Sequence, residues 1–549
     1  MGSLSGLYIG VSGLNVSQAA LNVTSHNLAN VDTKGFVRQQ AVLTDFNYIK
    51  MGDSYMSSMQ KGLGANFATV KQVRDTFLDQ AYRQEIGRQA FYESQYSAVN
   101  EVEGLFGELE GETFQKTLST FWTSLQELGK EPDSVVARAT LIQSAVTFLE
   151  RANNISKQLT DYQLNLNTQI KDQVERINEI GNELKTLNLK IRQYESTGVE
   201  KANDLRDQRN NLLDELGKYG NITYKENING IVNVNFEGMP FVTEDSVFMM
   251  NTVPVDDTTQ MLKPVWAAYG GADVFNLDKV PTADKNNDIG SLKGLLVARG
   301  SKQANYTDIP VRSNYETDTL YNAAVMDYNN KTNASVIMTV QAQFDQLIHG
   351  ITTTINDILS PNKTVTLPDG TTLKILDEAN APVGMDADKT MGEGLFNRKS
   401  SPRYEEPVEI QILGEIEVNP EILNSYALIA LSSNTGSGDF DIAAVDKLLS
   451  KWQEPFSTLS PNTLTKNNFD DYYTSFMSEI ANRGQQLNTI SVNQASMVES
   501  IDNQRMQVTG VSSDEELTNM IKYQHAYNAA ARYVNVVSQM LEDVIVKLA

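Results

Sequence analysis

The stretch SGLYIGVSGLNVSQAALNVTSHNLANVDTKGF (Ser5–Phe36) holds no Asp, Glu, Lys or Arg before Asp32. Leu4, Leu7, Val11, Leu14, Gln18, Leu21, Ser25 and Leu28 recur at steps of three and four, the stripe of one helical face. Gly6, Gly10 and Gly13 interrupt the pattern, each costing about 1 kcal/mol relative to alanine inside a helix. Such a segment is too polar to span a bilayer and too weakly helical to stand alone, so its stability must come from a partner surface.

The other end of the chain offers one. In DEELTNMIKYQHAYNAAARYVNVVSQMLEDVIVKLA (514–549), a second seam runs through Leu517, Met520, Gln524, Tyr527, Ala531, Val534, Ser538, Leu541, Ile545 and Leu548. Ser512 or Ser513 ahead of Glu515 and Glu516 supplies a helix N-cap with an acidic first turn. The two ends are expected to pack on each other and on neighbouring copies. The assembly residues are then Leu4, Leu7, Gly10, Val11, Leu14, Leu21 and Leu28, facing Leu517, Met520, Gln524, Tyr527, Ala531, Val534, Leu541, Ile545 and Leu548.

Between the ends, Ile170, Gln173, Ile177, Ile180, Leu184, Leu187, Ile191 and Tyr194 fall at heptad spacing, predicting a long coiled-coil-like helix that stops near Thr197-Gly198. A second long helix is predicted from Phe469 to Arg505, and another ahead of Pro361. Strand patterns cluster in the middle. Val232, Val234 and Phe236 alternate with polar residues after an Asn229-Gly230 turn, and Asp369-Gly370 separates two strand-like arms. The stretch 405–418 continues the strand character. The fold expected is multidomain α+β. Terminal helices pair as a coiled-coil-like inner domain (1–50 with 511–549), and a long-helix body follows (51–215, 301–360 and 426–510). β-rich outer modules are inserted at 216–300 and 361–425.

Over 549 residues, 40% are hydrophobic and 21% charged, enough apolar content for packed cores. The formal net charge of −24 argues against nucleic-acid and anionic-membrane partners, and nothing approaches a membrane span. The absence of cysteine excludes disulfides, thiolate metal sites and cysteine nucleophiles. His26, His349 and His525 lie far apart with no second ligand at metal spacing and read as packing or surface residues. No phosphate-binding, dinucleotide or nucleophile-elbow motif occurs. Neither an enzyme nor a cofactor is expected.

The turn NLANVDTKGFVRQQ resembles the N-terminal signature of bacterial flagellar rod, hook and hook-associated proteins, carried by Asn27, Leu28, Ala29, Asn30, Thr33, Gly35 and Phe36. Asn30 can end the helix, and Gly35 frees the backbone before an extended segment; with Phe36 they join the expected assembly residues. Glu515, Glu516, Leu517, Gln524, Ala526, Tyr527 and Ala530 are similar to the group's closing signature. The segment NDLRDQRNNLLDELGKYG (203–220), with Asp204, Leu205, Asp207, Arg209, Leu213 and Leu216, resembles the first-type hook-associated family of the hook–filament junction, with Asp207 and Arg209 expected on the helix surface. The resemblance implies export through the flagellar type III channel without a cleaved signal, and an extracellular place in the flagellum. It implies a ring of neighbouring copies, contacts with the hook protein and a second junction protein, and an export chaperone. A hook or distal-rod structural protein and an exported surface binding module stand as alternatives.

Overall fold

The computed structural model describes residues 2–54, 57–107, 113–198, 200–366, 372–399, 412–432 and 443–548. The uncharged N-terminal segment is a helix, α1 (Gly2–Ala29), closed by the turn from Asn30 to Gly35. Gly35 sits at φ +79°, the left-handed region that glycine enters without a Cβ penalty. A long antiparallel ribbon follows. β1 (Gln39–Asp45) pairs with β4 (Ala65–Gln72), and between them β2 (Tyr48–Ser54) pairs with β3 (Ser57–Gly62). Residues 51–72 were expected within the helical body; their strand pairing places them in this ribbon, which lies along α1.

The body opens with α2 (Thr76–Phe106), whose first N–H groups are capped by the Asp75 carboxylate and whose end is closed by left-handed Gly107. Then come α3 (Phe114–Lys130), α4 (Val135–Glu195) and α5 (Asn203–Tyr219). With 61 residues, α4 starts well before the heptad seam and runs about 90 Å at about 1.5 Å per residue. Its seam residues from Ile170 to Ile191 are buried except the half-buried Gln173, while Tyr194 is exposed. They pack against α5, the helix at Ser291–Arg299 and the sheets that follow, so no single long partner helix accounts for the seam.

Those sheets are β5 (Ile222–Glu226), β6 (Val232–Phe236) and β7 (Met239–Val242), then β8 (Met250–Pro254), β9 (Leu262–Trp266) and β10 (Ala272–Asp273). The Asn229-Gly230 turn joins β5 to β6, with Gly230 at φ +77°, and Val232, Val234 and Phe236 point inward as their alternation predicts. The chain continues through α6 (Ser291–Arg299), α7 (Asp318–Lys331) and α8 (Val336–Leu359). Two short ladders follow: β11 (Asn362–Thr366) with β12 (Thr372–Leu376), and β13 (Phe396–Arg398) with β14 (Ile416–Val418). The Asp369-Gly370 turn and residues 405–411 lie outside the described residues. The chain closes with α9 (Pro420–Asn424), α10 (Ala443–Gln453), α11 (Phe469–Thr509) and α12 (Ser513–Leu548).

One hydrophobic core runs through the body. It collects the C-terminal part of α2, then α3, α4, α5, α6, α8, α10, the N-terminal part of α11 and the inner faces of the sheets. Phe106, Phe114, Phe344 and Phe476 form an aromatic knot at its centre, with ring centroids 5.0–5.3 Å apart at three edge-on contacts. The inserted strands at 222–266 share this core through Phe236, Phe241 and Trp266. Among the residues whose side chains are described, none of α1, α12 or the β1–β4 ribbon belongs to it.

Candidate assembly interface

The first helix meets the last through its smallest residues. Gly6, Gly10, Gly13, Ser17, Ala20, Thr24 and Asn27 recur at alternating steps of four and three, and all but the half-buried Gly13 are buried. A Cβ at Gly6 would lie 3.2 Å from the Tyr533 hydroxyl, one at Gly10 2.6 Å from Val534 Cγ2, and one at Gly13 3.4 Å from the Ala530 Cβ. Early positions of α1 thus face late positions of α12, and Asn27 reaches Glu516, so the two helices run antiparallel. Missing side chains let the backbones approach closely, which is what gives this low-propensity helix its stability.

The leucine seam lies one position over. Leu7, Leu14, Leu21 and Leu28 are half-buried and Val11 is exposed, while Leu4 and Leu548 fall outside the residues whose side chains are described. On α12, Met520, Ala531, Val534 and Leu541 are half-buried, whereas Leu517, Gln524, Tyr527 and Ile545 are exposed. Of that seam Val534 does meet α1, and the other contacts fall off it, on Glu516, Ala530, Tyr533 and Val537. An apolar count favours leucine, but a close helix crossing selects glycine and alanine; the three-and-four spacing of the glycines was the available signal.

Where the end of the pair meets the turn and β1, the contacts are polar. Asn27 is fully buried; its side-chain amide donates to the Gln39 carbonyl at 2.8 Å and to Glu516 Oε2 at 3.1 Å, and its Oδ1 accepts from Gln39 N–H at 3.0 Å. Arg38 Nε pairs with Glu516 at 2.9 Å and its Nη2 with Glu515 at 2.8 Å, while the Arg38 backbone N–H donates to the Thr509 carbonyl. Asn27, Glu515 and Glu516, signature residues from opposite ends of the chain, thus join one cluster.

A second cluster lies alongside, on α5. Asp207 and Arg209 are buried rather than on the surface. Arg209 donates to Asn188 Oδ1, the Gly230 carbonyl and Glu226, locking α5 to α4 and the first sheet. Asp207 accepts from Val37 N–H at 3.2 Å and Gln72 Nε2 at 2.8 Å; Gln39 Nε2 donates to Asp204, and His26 approaches Asp204 at 3.9 Å. His26 also packs edge-on against Phe36, and an added Cβ at Gly35 would collide with the Asn211 side chain. The turn after α1 is therefore moulded onto α5, and a helical wheel of 203–219 alone gives no hint of what covers it.

Burial pushes the Asp207 carboxyl up to about 7, with Asp204 adding to the shift and the Val37 N–H, Arg74 and Gln72 opposing it. Because the folded value exceeds the ordinary one, its contribution to stability is full below about pH 4 and is lost as pH rises through about 7. Asp207→Asn keeps an acceptor for Val37 and removes the titration. The gap in melting temperature between pH 5 and pH 8 is expected to narrow by about 3–5 °C; an unchanged gap in thermal scans would place the pH dependence elsewhere.

Among the described residues, no group of three or more metal-capable side chains converges, and no helix is long and apolar enough to cross a membrane. His349 stacks on Tyr306 at 3.7 Å.

Comparison with known proteins gives a consistent picture. The family described as the flagellar hook-associated protein FlgK helical domain matches residues 99–371. The flagella basal body rod protein family matches 7–36, and the C-terminal family of flagellar basal body rod FlgEFG proteins matches 502–547. The chain is 26% identical over 551 residues to flagellar hook-associated protein 1 of Bacillus subtilis, covering 97% of this chain and 96% of that one. To the protein of the same name from Salmonella typhimurium it is 24% identical, covering 97% and 98%. The flagellar hook junction protein FlgK from Burkholderia pseudomallei superimposes with a TM-score of 0.50 at 14% identity, over 78% of this chain and all of that one.

Proposed function

The chain belongs to the flagellar hook-associated protein 1 family, and we propose that it is the structural subunit that joins the flagellar hook to the filament. The observation that carries this reading is the end-to-end match, over 97% of the chain, to proteins of that name. The terminal signatures alone fit rod and hook proteins equally well; the helical-domain match at 99–371 separates the hook-associated family from them.

The geometry supplies a physical basis for assembly. The stripe of small residues is used within the molecule, so the larger apolar side chains of the same helices are left outward. Tyr8 and Val11 on α1, and Leu517, Ile521, Val536, Met540 and Ile545 on α12, are exposed, Ile545 by 64%. An apolar surface of this extent on a soluble protein is an association surface. In this reading, neighbouring copies in a ring cover it, with the hook protein on one side and a second junction protein on the other. Export through the flagellar type III channel without a cleaved signal, with a chaperone shielding the same surface beforehand, places the protein outside the cell.

Electron microscopy of cells lacking the gene tests the reading. Complete hooks without filaments, with flagellin shed into the medium, are expected. Absent hooks would assign the chain to the hook or rod, and normal filaments would overturn a junction role altogether.

A further inference from the structure

The C-terminus of α6 carries a buried cation that no carboxylate neutralises. Arg299 is 1% exposed, and three of its five N–H donors are taken by neutral oxygens. Nε donates to the Gly300 carbonyl at 2.9 Å, and Nη1 to Asn167 Oδ1 at 2.6 Å and to the Leu262 carbonyl at 2.7 Å. Nη2 has no acceptor among the described residues. Burial lowers the guanidinium to about 10 and no charged neighbour offsets it, so it stays protonated at neutral pH. The end of α6 and the three acceptors offset part of the cost of burying this charge; two donors remain unused. Arg299 also lines a cavity of 630 Å³ between β9, β10, the end of α6 and the turn joining α7 to α8. That volume lies within the range of about 300–1,000 Å³ typical of small-molecule sites.

We propose that this cavity binds a small organic carboxylate, its carboxyl group on Arg299 Nη2 and its apolar body against Phe275, Leu277 and Pro281. The charges of the wall select a single negative charge. Two of its lysines are already neutralised, Lys263 by Asp273 at 2.8 Å and Lys331 by Asp327 at 2.7 Å. Asp256, Asp278 and Lys279, all exposed, also line the cavity. A doubly charged phosphate or sulfate would face three aspartates with only Arg299 and Lys279 uncommitted, whereas a carboxylate needs only the one buried guanidinium. A charge-assisted hydrogen bond away from bulk water is strong enough to fix such a ligand's orientation. The apolar wall supplies the remaining attraction: Phe275 is buried and Leu277 and Pro281 are half-buried, so contact with them removes hydrocarbon from water. The site stands on this cavity alone and not on the junction role.

Saturation-transfer NMR on the full-length protein tests this with 4-phenylbutyrate as the probe, against 4-phenylbutan-1-ol and inorganic phosphate. Saturable binding of the carboxylate is expected with a Kd of about 1 mM or below, and the alcohol should bind at least about tenfold more weakly. Arg299→Gln removes the charge and should weaken the carboxylate by at least about tenfold. Because Arg299 also ties α6 to α4 and β9, Leu277→Asp serves should that variant fail to fold. It sets a further negative charge on the wall without touching any bond of Arg299, and the same loss is expected. Equal binding of alcohol and carboxylate would overturn the proposal, since the anion would then not be what is recognised. Phosphate binding as tightly as the carboxylate would assign the site to inorganic anions instead. Absence of saturable binding, or binding that neither variant weakens, would remove the site altogether, whatever the flagella of a deletion strain look like.

Discussion

Replacing Gly10 by leucine is expected to abolish filament attachment while leaving the body folded. A Cβ at this position already falls 2.6 Å from Val534 Cγ2, closer than real Cβ contacts come, and 3.0 Å from the Tyr533 ring, at the tight end of what is seen. Overpacking a tight site costs about 1–3 kcal/mol in a tolerant core. Here the helix has little intrinsic stability of its own, and its contact with α12 from Gly6 to Gly13 is built on absent side chains. Leucine would force the helices apart along the stripe from Gly6 to Asn27 and present neighbouring copies with a misshapen surface. Gly10→Ala should fall between leucine and the parent, since Val534 and Tyr533 are only partly confined. Swarming assays and electron microscopy of the variant strain read the effect, with hydrogen exchange on the purified protein showing an unchanged body at residues 114–359. Normal filaments from Gly10→Leu would show that the α1–α12 contact is dispensable.

The other large effect lies in the body. Phe344, on α8, meets Phe106 at 5.2 Å and Phe114 at 5.0 Å, both edge-on, and stacks near Phe476 at 6.3 Å. It ties α8 to α2, α3 and α11 at a place where every side chain is fully buried. Phe344→Ala removes a ring from between three others, and a loss of about 3–5 kcal/mol is expected. In a domain this large that corresponds to a fall in melting temperature of roughly 6–15 °C. Calorimetry distinguishes the two variants. Phe344→Ala should shift the main transition, whereas Gly10→Leu should leave it in place, because the terminal pair lies outside the body core. A Phe344→Ala protein that melts within a degree or two of the parent would mean that the knot is not the centre of the cooperative unit.

The legible parts of the sequence were those that local pattern controls. α8 ends at Leu359, ahead of Pro361, because proline excludes the preceding residue from helical geometry. β6 buries Val232, Val234 and Phe236 because alternation can satisfy only one face of a strand. The illegible parts share a different cause. The strand pairing at 39–72 links short polar segments with weak alternation, and the ribbon is held by its own ladder and by α1 against β1 and β4. Ile170 to Ile191 read as a coiled-coil seam, since heptad spacing records that a helix face is buried but not whether a helix or a sheet covers it.

The sequence by itself determined that α1 and α12 are helices and that they need a partner; the residues around Asn27 and Glu516 carried a resemblance to flagellar rod, hook and hook-associated proteins as a group, and the segment 203–220 narrowed it. Tertiary structure alone decided which face of α1 turns inward. The leucines carry more apolar surface, but the glycine stripe permits the shorter distance between backbones, and the crossing is settled by that approach. It also decided that Asp207 and Arg209 are buried and that the two terminal helices are joined by a polar contact at one end, as Asn27 meets Glu516 across 489 residues of chain. No local pattern encodes such a meeting: a polar side chain looks solvent-bound in sequence until the fold brings its partner to it.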